Sequence, residues 1–480
     1  MRSPAAKLEN GPASRRRAHV RILSRSKPGT ITGRFRPIFI VGGCSRGRLG
    51  STHDTRRCHD TLYEGMKTRL PIRIYNTAQR MLGALGRAPA RFSDSEQSFL
   101  DAACEVTGLS DFGDARFRDG LRVLLHAYDA EASLTPFGRS MVLQQITGVL
   151  SARLTVEAGW KTDPAVLDTK IERPIFILGL PRTGTTAMHF LLGQDPANQV
   201  LEFWLAAAPG PRPPRDQWEA DPRFKGAVKA LKMMYWLDPD LRAIHLMTAD
   251  GPEECRHLLM QSFTDDTFDS NATVPSYTEW FRKQDMRPAY ARHRDILKLI
   301  GSPTPERRWV LKYPAHIRSL DRVLEIYPDA CFVQTHRDPG RVLPSLCSLV
   351  TGWRSLYEGG VDAHEVGSQQ LEMWASLMET AIEKRRAANP DQFYDLHFRD
   401  VVGDPVAAIG RMYEHFGFEL SDTARRQMTD WITQNPQGKH GSHRYTPEQF
   451  GLTDDVMADR FSTYLDHFQV ERETGSESAV

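Results

Sequence analysis

The sequence predicts an α/β fold of three layers: a central, mainly parallel sheet between helices, with an N-terminal helical region ahead of it. Three observations carry this. Short apolar runs at 175–178 (Ile-Phe-Ile-Leu), 309–312 (Trp-Val-Leu-Lys) and 330–335 (Ala-Cys-Phe-Val-Gln-Thr) are apolar along most of their length rather than alternating, as in strands covered on both faces. The first and third of these runs are followed by a glycine- or proline-containing turn and then a helix-forming segment, the strand–helix alternation of a parallel sheet. Residues 75–165 repeat apolar side chains at helical spacing, as in Leu121, Leu125 and Tyr128, or Val142, Ile146 and Leu150.

Along the chain, residues 1–65 stand apart. They hold 14 Lys or Arg against 4 Asp or Glu, net +10, whereas the remaining 415 are net −8, so the overall charge of +2 conceals a split. An Arg- and Ser-rich, acid-poor start also has the composition of a transit peptide. The preferred reading is a disordered or misassigned extension, with the chain proper starting at Met66. Its segment RPIFIVGGCSRGRLGST (36–52) echoes RPIFILGLPRTGTT (173–186) without the compact turn. Residues 66–168 are expected to be helical, and 169–472 to form the α/β domain. An insertion at about 205–306 should be mostly helical, broken by the proline-rich stretch at 208–214. Trp204, Trp218, Tyr235, Trp236, Trp280 and Phe281 in and around it are candidates for an apolar pocket, although aromatics in helices more often belong to a core.

The run ending in Pro-Arg-Thr-Gly-Thr-Thr holds the strongest chemical signal. A strand, a tight glycine turn at Gly179 and Gly184, and a helix opening at Thr185 aim backbone N–H groups and a positive dipole end at one point, where an oxyanion fits. The bland alternative is a tight turn with no ligand. It is not a nucleoside-triphosphate loop: that motif places Lys directly before Ser or Thr. Here Thr185 stands in the lysine's place, and the charge lies on Arg182. After the third strand comes HRDPGRVLPSLCSL, with Arg337 eight residues before Ser345 and Asp338-Pro339 able to start a helix. Pro344 sits late in that helix and is expected to kink it. Both residues can grip one phosphate, Arg337 as a bidentate donor and Ser345 as a neutral one. Near the end, Gly438-Lys439-His440-Gly441-Ser442-His443-Arg444-Tyr445 reads on its own residues as an exposed polar loop.

P-[KR]-[ST]-G-T-T after an apolar strand, with Arg-x7-Ser after another, resembles the bacterial sulfotransferases that use 3′-phosphoadenosine 5′-phosphosulfate (PAPS). The resemblance covers about residues 170–470 and implies a P-loop-type three-layer fold. It implies that Arg182, Thr183, Gly184, Thr185 and Thr186 bind the phosphosulfate, and that Arg337 and Ser345 bind the 3′-phosphate. Lys439 and Gly441 are the corresponding residues of the late loop. Phe398, at the end of strand-like QFYDLHF (392–398), stands where better-known cytosolic members have Tyr, and Ala187 where they have an adenine-stacking Trp. Lys312 is implied near the transferring group. Those members place the basic His two residues after the Lys; here Pro314 is there, and His316 follows at the fourth. Glu202, in the segment LEFW, matches a Glu proposed as base in some bacterial members. The base therefore stays open among Glu202, His316 and residues such as His245. The acids of TADGPEEC (248–255) read first as helix-start residues.

The function implied is transfer of a sulfuryl group from PAPS to a hydroxyl of a small-molecule or lipid alcohol. Two other classes compete. A P-loop kinase or NTPase lacks its Gly-Lys-Ser/Thr and an obvious acidic strand end for Mg2+. A nucleic-acid binder would rely on the basic first 65 residues alone. No partner nucleic acid is expected. No metal is expected either, because there is no HExxH, EF-hand or Cys/His cluster with ligand spacing. No apolar run approaches the ~18–20 residues of a membrane helix. The six cysteines form no C-x2-C pair, which fits reduced thiols and a cytoplasmic setting. The sequence carries no oligomerisation signal.

Overall fold

The computed structural model describes residues 70–84, 89–237, 247–436 and 445–473, all within one compact unit that begins at Tyr63. Residues 1–65, His245, Lys439, His440 and Gly441 therefore lie outside the described residues. The helical region comprises α1 (Leu70–Ala84), α2 (Glu96–Thr107), α3 (Phe117–Ala130) and α4 (Pro136–Thr162). Helix α4 starts as its sequence dictates. Thr135 accepts a hydrogen bond from the Gly138 N–H at 3.0 Å, and Pro136 occupies the first turn, where no N–H is needed. The predicted stripes of α3 and α4 are buried: Leu121, Leu125, Tyr128, Val142, Ile146 and Leu150 all face inward.

The α/β part follows as β1 (Ile175–Gly179), α5 (Thr185–Leu192), β2 (Asn198–Val200), α6 (Phe203–Ala207) and α7 (Pro222–Leu237), then α8 (Pro275–Arg282), α9 (Arg287–Gly301) and β3 (Arg308–Lys312). After β4 (Cys331–His336) come α10 (Pro339–Tyr357), α11 (Ala363–Arg386), β5 (Phe393–His397), α12 (Pro405–Phe416) and α13 (Asp422–Gln434). The five strands are parallel throughout, in the order β2-β3-β1-β4-β5, so β1 is central. Ile175 pairs with Val310 on one side and Cys331 on the other.

Both faces of this sheet are covered, which is why its strands read as apolar runs. Ile175, Ile177 and Val333 pack with Met188, Leu191, Ile409 and Met412 of α5 and α12. Phe176, Leu178 and Phe332 face the other way, into a core continuous with that of α2 to α4. Burying each such side chain contributes about 1.5–3 kcal/mol. The helical region thus shares a core with the sheet; it also bonds to the end of α10, through Thr135 N–H to the Tyr357 carbonyl at 2.9 Å.

Some expectations need correction. Residues 392–398 are not all strand: β5 ends at His397, and Phe398 opens a short helix, Phe398–Gly403. The acids at 250–254 do not lie in a helix; the helix there begins only at Arg256, with Asp250 in a turn and Glu253 and Glu254 in the irregular segment before it. Trp204, Trp218, Tyr235 and Phe281 are buried core residues, with Trp204 against Trp218 at 5.4 Å and Phe224 at 5.8 Å. Trp236 is exposed on α7.

Candidate active site at the C-terminal edge of the sheet

A parallel sheet delivers the ends of all its strands to one edge, and ligands of such sheets bind there. Strand β1 ends at Gly179, whose φ is 123°; a Cβ on it would lie 2.6 Å from the Thr335 carbonyl oxygen of β4, so only glycine lets the strands close. The loop then turns through Arg182, itself in the left-handed region at φ 64°, and Gly184 at φ 89° to start α5. Non-glycine residues hold such a conformation at a cost, and they concentrate where a ligand is gripped.

The Arg182 side chain reaches across to α10 and donates from Nε to the Ser345 Oγ at 3.0 Å. Burial lowers its pKa, and the Arg337 guanidinium pushes the same way while Tyr445 opposes. Arg182, Ser345, Arg337 and Tyr445 therefore converge on one place, although they are far apart in sequence. Tyr445 directly follows the stretch 437–444 that holds Lys439 and Gly441. Thr185 is buried and Thr186 exposed at the first turn of α5. The Thr183 hydroxyl is spent inside the fold, donating to the Leu180 carbonyl at 2.6 Å and sharing a hydrogen bond with Thr335 Oγ1 at 2.5 Å. Only its backbone is left for a ligand.

Arg337 leaves β4 just before α10, whose first turn is capped by Asp338 accepting from the Gly340 N–H at 3.0 Å. Behind it, His336 is wholly buried and bonded to Asp395 at 2.8 Å, and Asp395 takes both Arg385 terminal nitrogens, at 2.6 and 2.8 Å. The Arg337 guanidinium sits 3.8 Å from the centre of the Phe398 ring. That ring also borders Gly184. Arg337 donates in bidentate fashion to Glu473, at 2.8 and 3.0 Å, and Arg341 holds the Glu473 carbonyl at 2.9 Å. A carboxylate thus lies in the fork expected to receive phosphate, which shows that the fork fits an oxyanion. Pro344 does not end α10, which runs on to Tyr357.

On the other side of β1, Lys312 ends β3 and is ion-paired to Glu254. The segment carrying that acid crosses the sheet edge: Glu253 N–H bonds the Leu201 carbonyl at 2.7 Å and Cys255 N–H the Lys312 carbonyl at 3.0 Å. Glu254 was overlooked as a site residue in the sequence; its neighbours in the chain resemble any helix start, and only the fold brings it to Lys312. Glu202 follows β2 and is paired with Arg212 of the proline-rich stretch, at 3.0 and 3.3 Å. Burial raises its pKa, with Arg212 pulling the other way. His316 is 0% exposed, edge-on to Phe176 at 5.1 Å, with its Nδ1 against the Tyr290 hydroxyl at 2.8 Å. Burial and then His293 hold its pKa well below the usual histidine value. Phe176 is the second residue of β1, so His316 packs beneath the sheet.

Comparison with known proteins agrees with this geometry. A model of the sulfotransferase family matches residues 174–422. The chain is 25% identical over 311 residues to omega-hydroxy-beta-dihydromenaquinone-9 sulfotransferase Stf3 of Mycobacterium bovis, covering 63% of this chain and 76% of that one. Sulfotransferase STF1 from Mycobacterium tuberculosis H37Rv superposes with a TM-score of 0.72 at 38% identity, over 78% of this chain and 100% of that one. Sulfotransferase STF9 from Mycobacterium avium gives the same TM-score at 30% identity, over 78% and 97%. A five-stranded parallel sheet and a family match over more than half the chain place this protein in the sulfotransferase family.

Proposed function

We propose that this sulfotransferase takes its sulfuryl group from PAPS and passes it to the hydroxyl of a lipid-like alcohol. The observation that carries the donor reading is the 3.0 Å bond from Arg182 to Ser345, because it joins the loop after β1 to the Arg337 fork in one cleft. PAPS needs this: its ribose carries a phosphosulfate at the 5′ position and a phosphate at the 3′ position, and two separate anion sites hold them. The amide groups of the loop and the first turn of α5, with Thr185 and Thr186, take the phosphosulfate. Arg337 and Ser345 take the 3′-phosphate, and Phe398 borders the same cleft with its ring. By the resemblance alone, Lys439 and Gly441 are assigned to the same phosphate; they lie outside the described residues.

Transfer needs donor and acceptor in line and charge on the leaving group neutralised. The acceptor oxygen attacks sulfur, the sulfur–oxygen bond to the 5′-phosphate breaks, and 3′,5′-ADP leaves. Arg182 and Lys312 offset the charge that builds on the bridging oxygen, with Glu254 fixing the Lys312 ammonium. The acceptor's proton passes to Glu202, a carboxylate that burial makes more basic than usual. A lipid-like acceptor is supported by the name of the Stf3 relative and by the exposed Met233 and Trp236 of α7. The reading is tested by incubating the full chain with radiolabelled PAPS and a panel of isoprenoid, sterol and phenolic alcohols. Label in an isoprenoid alcohol is expected, and label confined to phenols would contradict the acceptor class.

A further inference from the structure

Beneath the sheet edge, Cys255, His293 and His316 meet although 38 and 23 residues separate them in sequence. The Cys255 sulfur and one ring nitrogen of each histidine lie within 4.8 Å of one another, and all three residues are wholly buried. Each histidine is oriented by a tyrosine: His316 Nδ1 lies 2.8 Å from the Tyr290 hydroxyl and His293 Nδ1 lies 2.8 Å from that of Tyr327. The second nitrogen of each ring, Nε2, is buried and has no hydrogen-bond partner. A buried polar atom without a partner costs about 1–3 kcal/mol, and two beside one thiol is unusual for a fold that satisfies its interior.

The arrangement is that of a metal centre. Ligating histidines use one ring nitrogen on the ion and give the other to an oxygen that fixes the tautomer, which is the part that Tyr290 and Tyr327 play here. Two imidazoles and a thiol suit a thiophilic d10 ion, and oxygen-seeking Mg2+ or Ca2+ would find no carboxylate or carbonyl cage. Ligand atoms around tetrahedral zinc are about 3.3–3.6 Å apart, so the three side chains need to close by roughly an ångström. The Glu254 carboxylate is near enough to influence both Cys255 and His316, and so offsets the positive charge that a divalent ion with a single thiolate keeps.

We propose that Cys255, His293 and His316 form a structural zinc site that ties the segment before helix Arg256–Leu259 to α9 and to the turn after β3. The site lies directly behind the Lys312–Glu254 pair, so the ion braces the catalytic edge from below without touching substrate.

The test uses the full chain without an affinity tag, expressed in zinc-supplemented medium and dialysed against metal-free buffer. Elemental analysis is expected to find about one zinc per chain, and about a tenth of that or less in Cys255→Ser and His293→Gln, with Cys331→Ser unchanged. Because a buried variant can fail to fold, the wild-type chain is also refolded with Co2+, where a thiolate-to-cobalt charge-transfer band is expected. A parallel copper-supplemented culture asks whether Cu+ is the ion held instead; copper in place of zinc would overturn the zinc assignment. The proposal also falls if the wild-type chain carries no stoichiometric zinc and shows no charge-transfer band, or if Cys255→Ser retains the metal.

Discussion

At Arg182 the backbone is strained and the side chain is drawn out of water at the same time, and both follow from one short motif. The arginine was legible because it replaces a nucleotide-loop lysine three residues away. Its partner Ser345 was legible only as a spacing from Arg337. Truncation of Arg182 to alanine is expected to lower kcat by about 10²–10³-fold, as for other fixed charges on a developing anion, in a PAPS-dependent rate assay. Arg337→Lys keeps the charge but loses the fork, and should weaken 3′,5′-ADP binding by at least about tenfold while leaving 5′-AMP binding unchanged. Glu202 should show itself in the pH profile. Burial raises its pKa, so the base is lost as pH falls through a value above the ordinary carboxylate range, and the acid limb of kcat should sit correspondingly high. Glu202→Gln is expected to lower kcat by about 10²–10⁴-fold and abolish that limb. An unaltered limb would move the base elsewhere. What the sequence concealed at this scale was partnership: nothing near Glu254 or Arg212 announces Lys312 or Glu202 as its contact.

Among the elements, β1, β3 and β4 were readable because burial on both faces leaves an unbroken apolar run. Strand β2 was not, since its three residues, Asn-Gln-Val, carry no period. Helices α3 and α4 announced themselves by their stripes and α10 by its Asp338-Pro339 start. The end of β5 was misjudged because Phe398 continues the apolar pattern while the chain has already turned into a helix. Gly179 joins β1 to the loop under a tight restraint. Gly179→Ala sets a side chain against the Thr335 carbonyl at a φ that alanine rarely adopts, and should cost about 2–4 kcal/mol in urea unfolding. Glu473, near the C-terminus, lies in the fork expected to take phosphate. Donor binding has to displace that carboxylate, so Glu473→Gln is expected to tighten 3′,5′-ADP severalfold in calorimetry. Equal or weaker affinity would mean that the segment supports the site rather than competes for it.

Across the whole molecule, the helical region before the sheet is not a separate cap, because its buried stripes merge with the face of the sheet bearing Phe176 and Phe332. That continuity was invisible in the sequence: periodicity reports which face of a helix is buried but not what buries it. The same limit hid the Cys255, His293 and His316 cluster, whose members come from three segments with no ligand spacing. Among the described residues no helix is long and apolar enough to cross a membrane. The catalytic edge, by contrast, was largely legible, since a parallel sheet gathers strand ends at one rim and two of those ends carried motifs. The account stands on that rim being one PAPS cleft, and calorimetric titration of the full chain with 3′,5′-ADP, against ATP with Mg2+, tests it most directly. One-to-one binding of 3′,5′-ADP that is lost in Arg337→Ala, with ATP–Mg2+ binding weaker, is the predicted result. No binding of 3′,5′-ADP, or tighter binding of ATP–Mg2+, would contradict it.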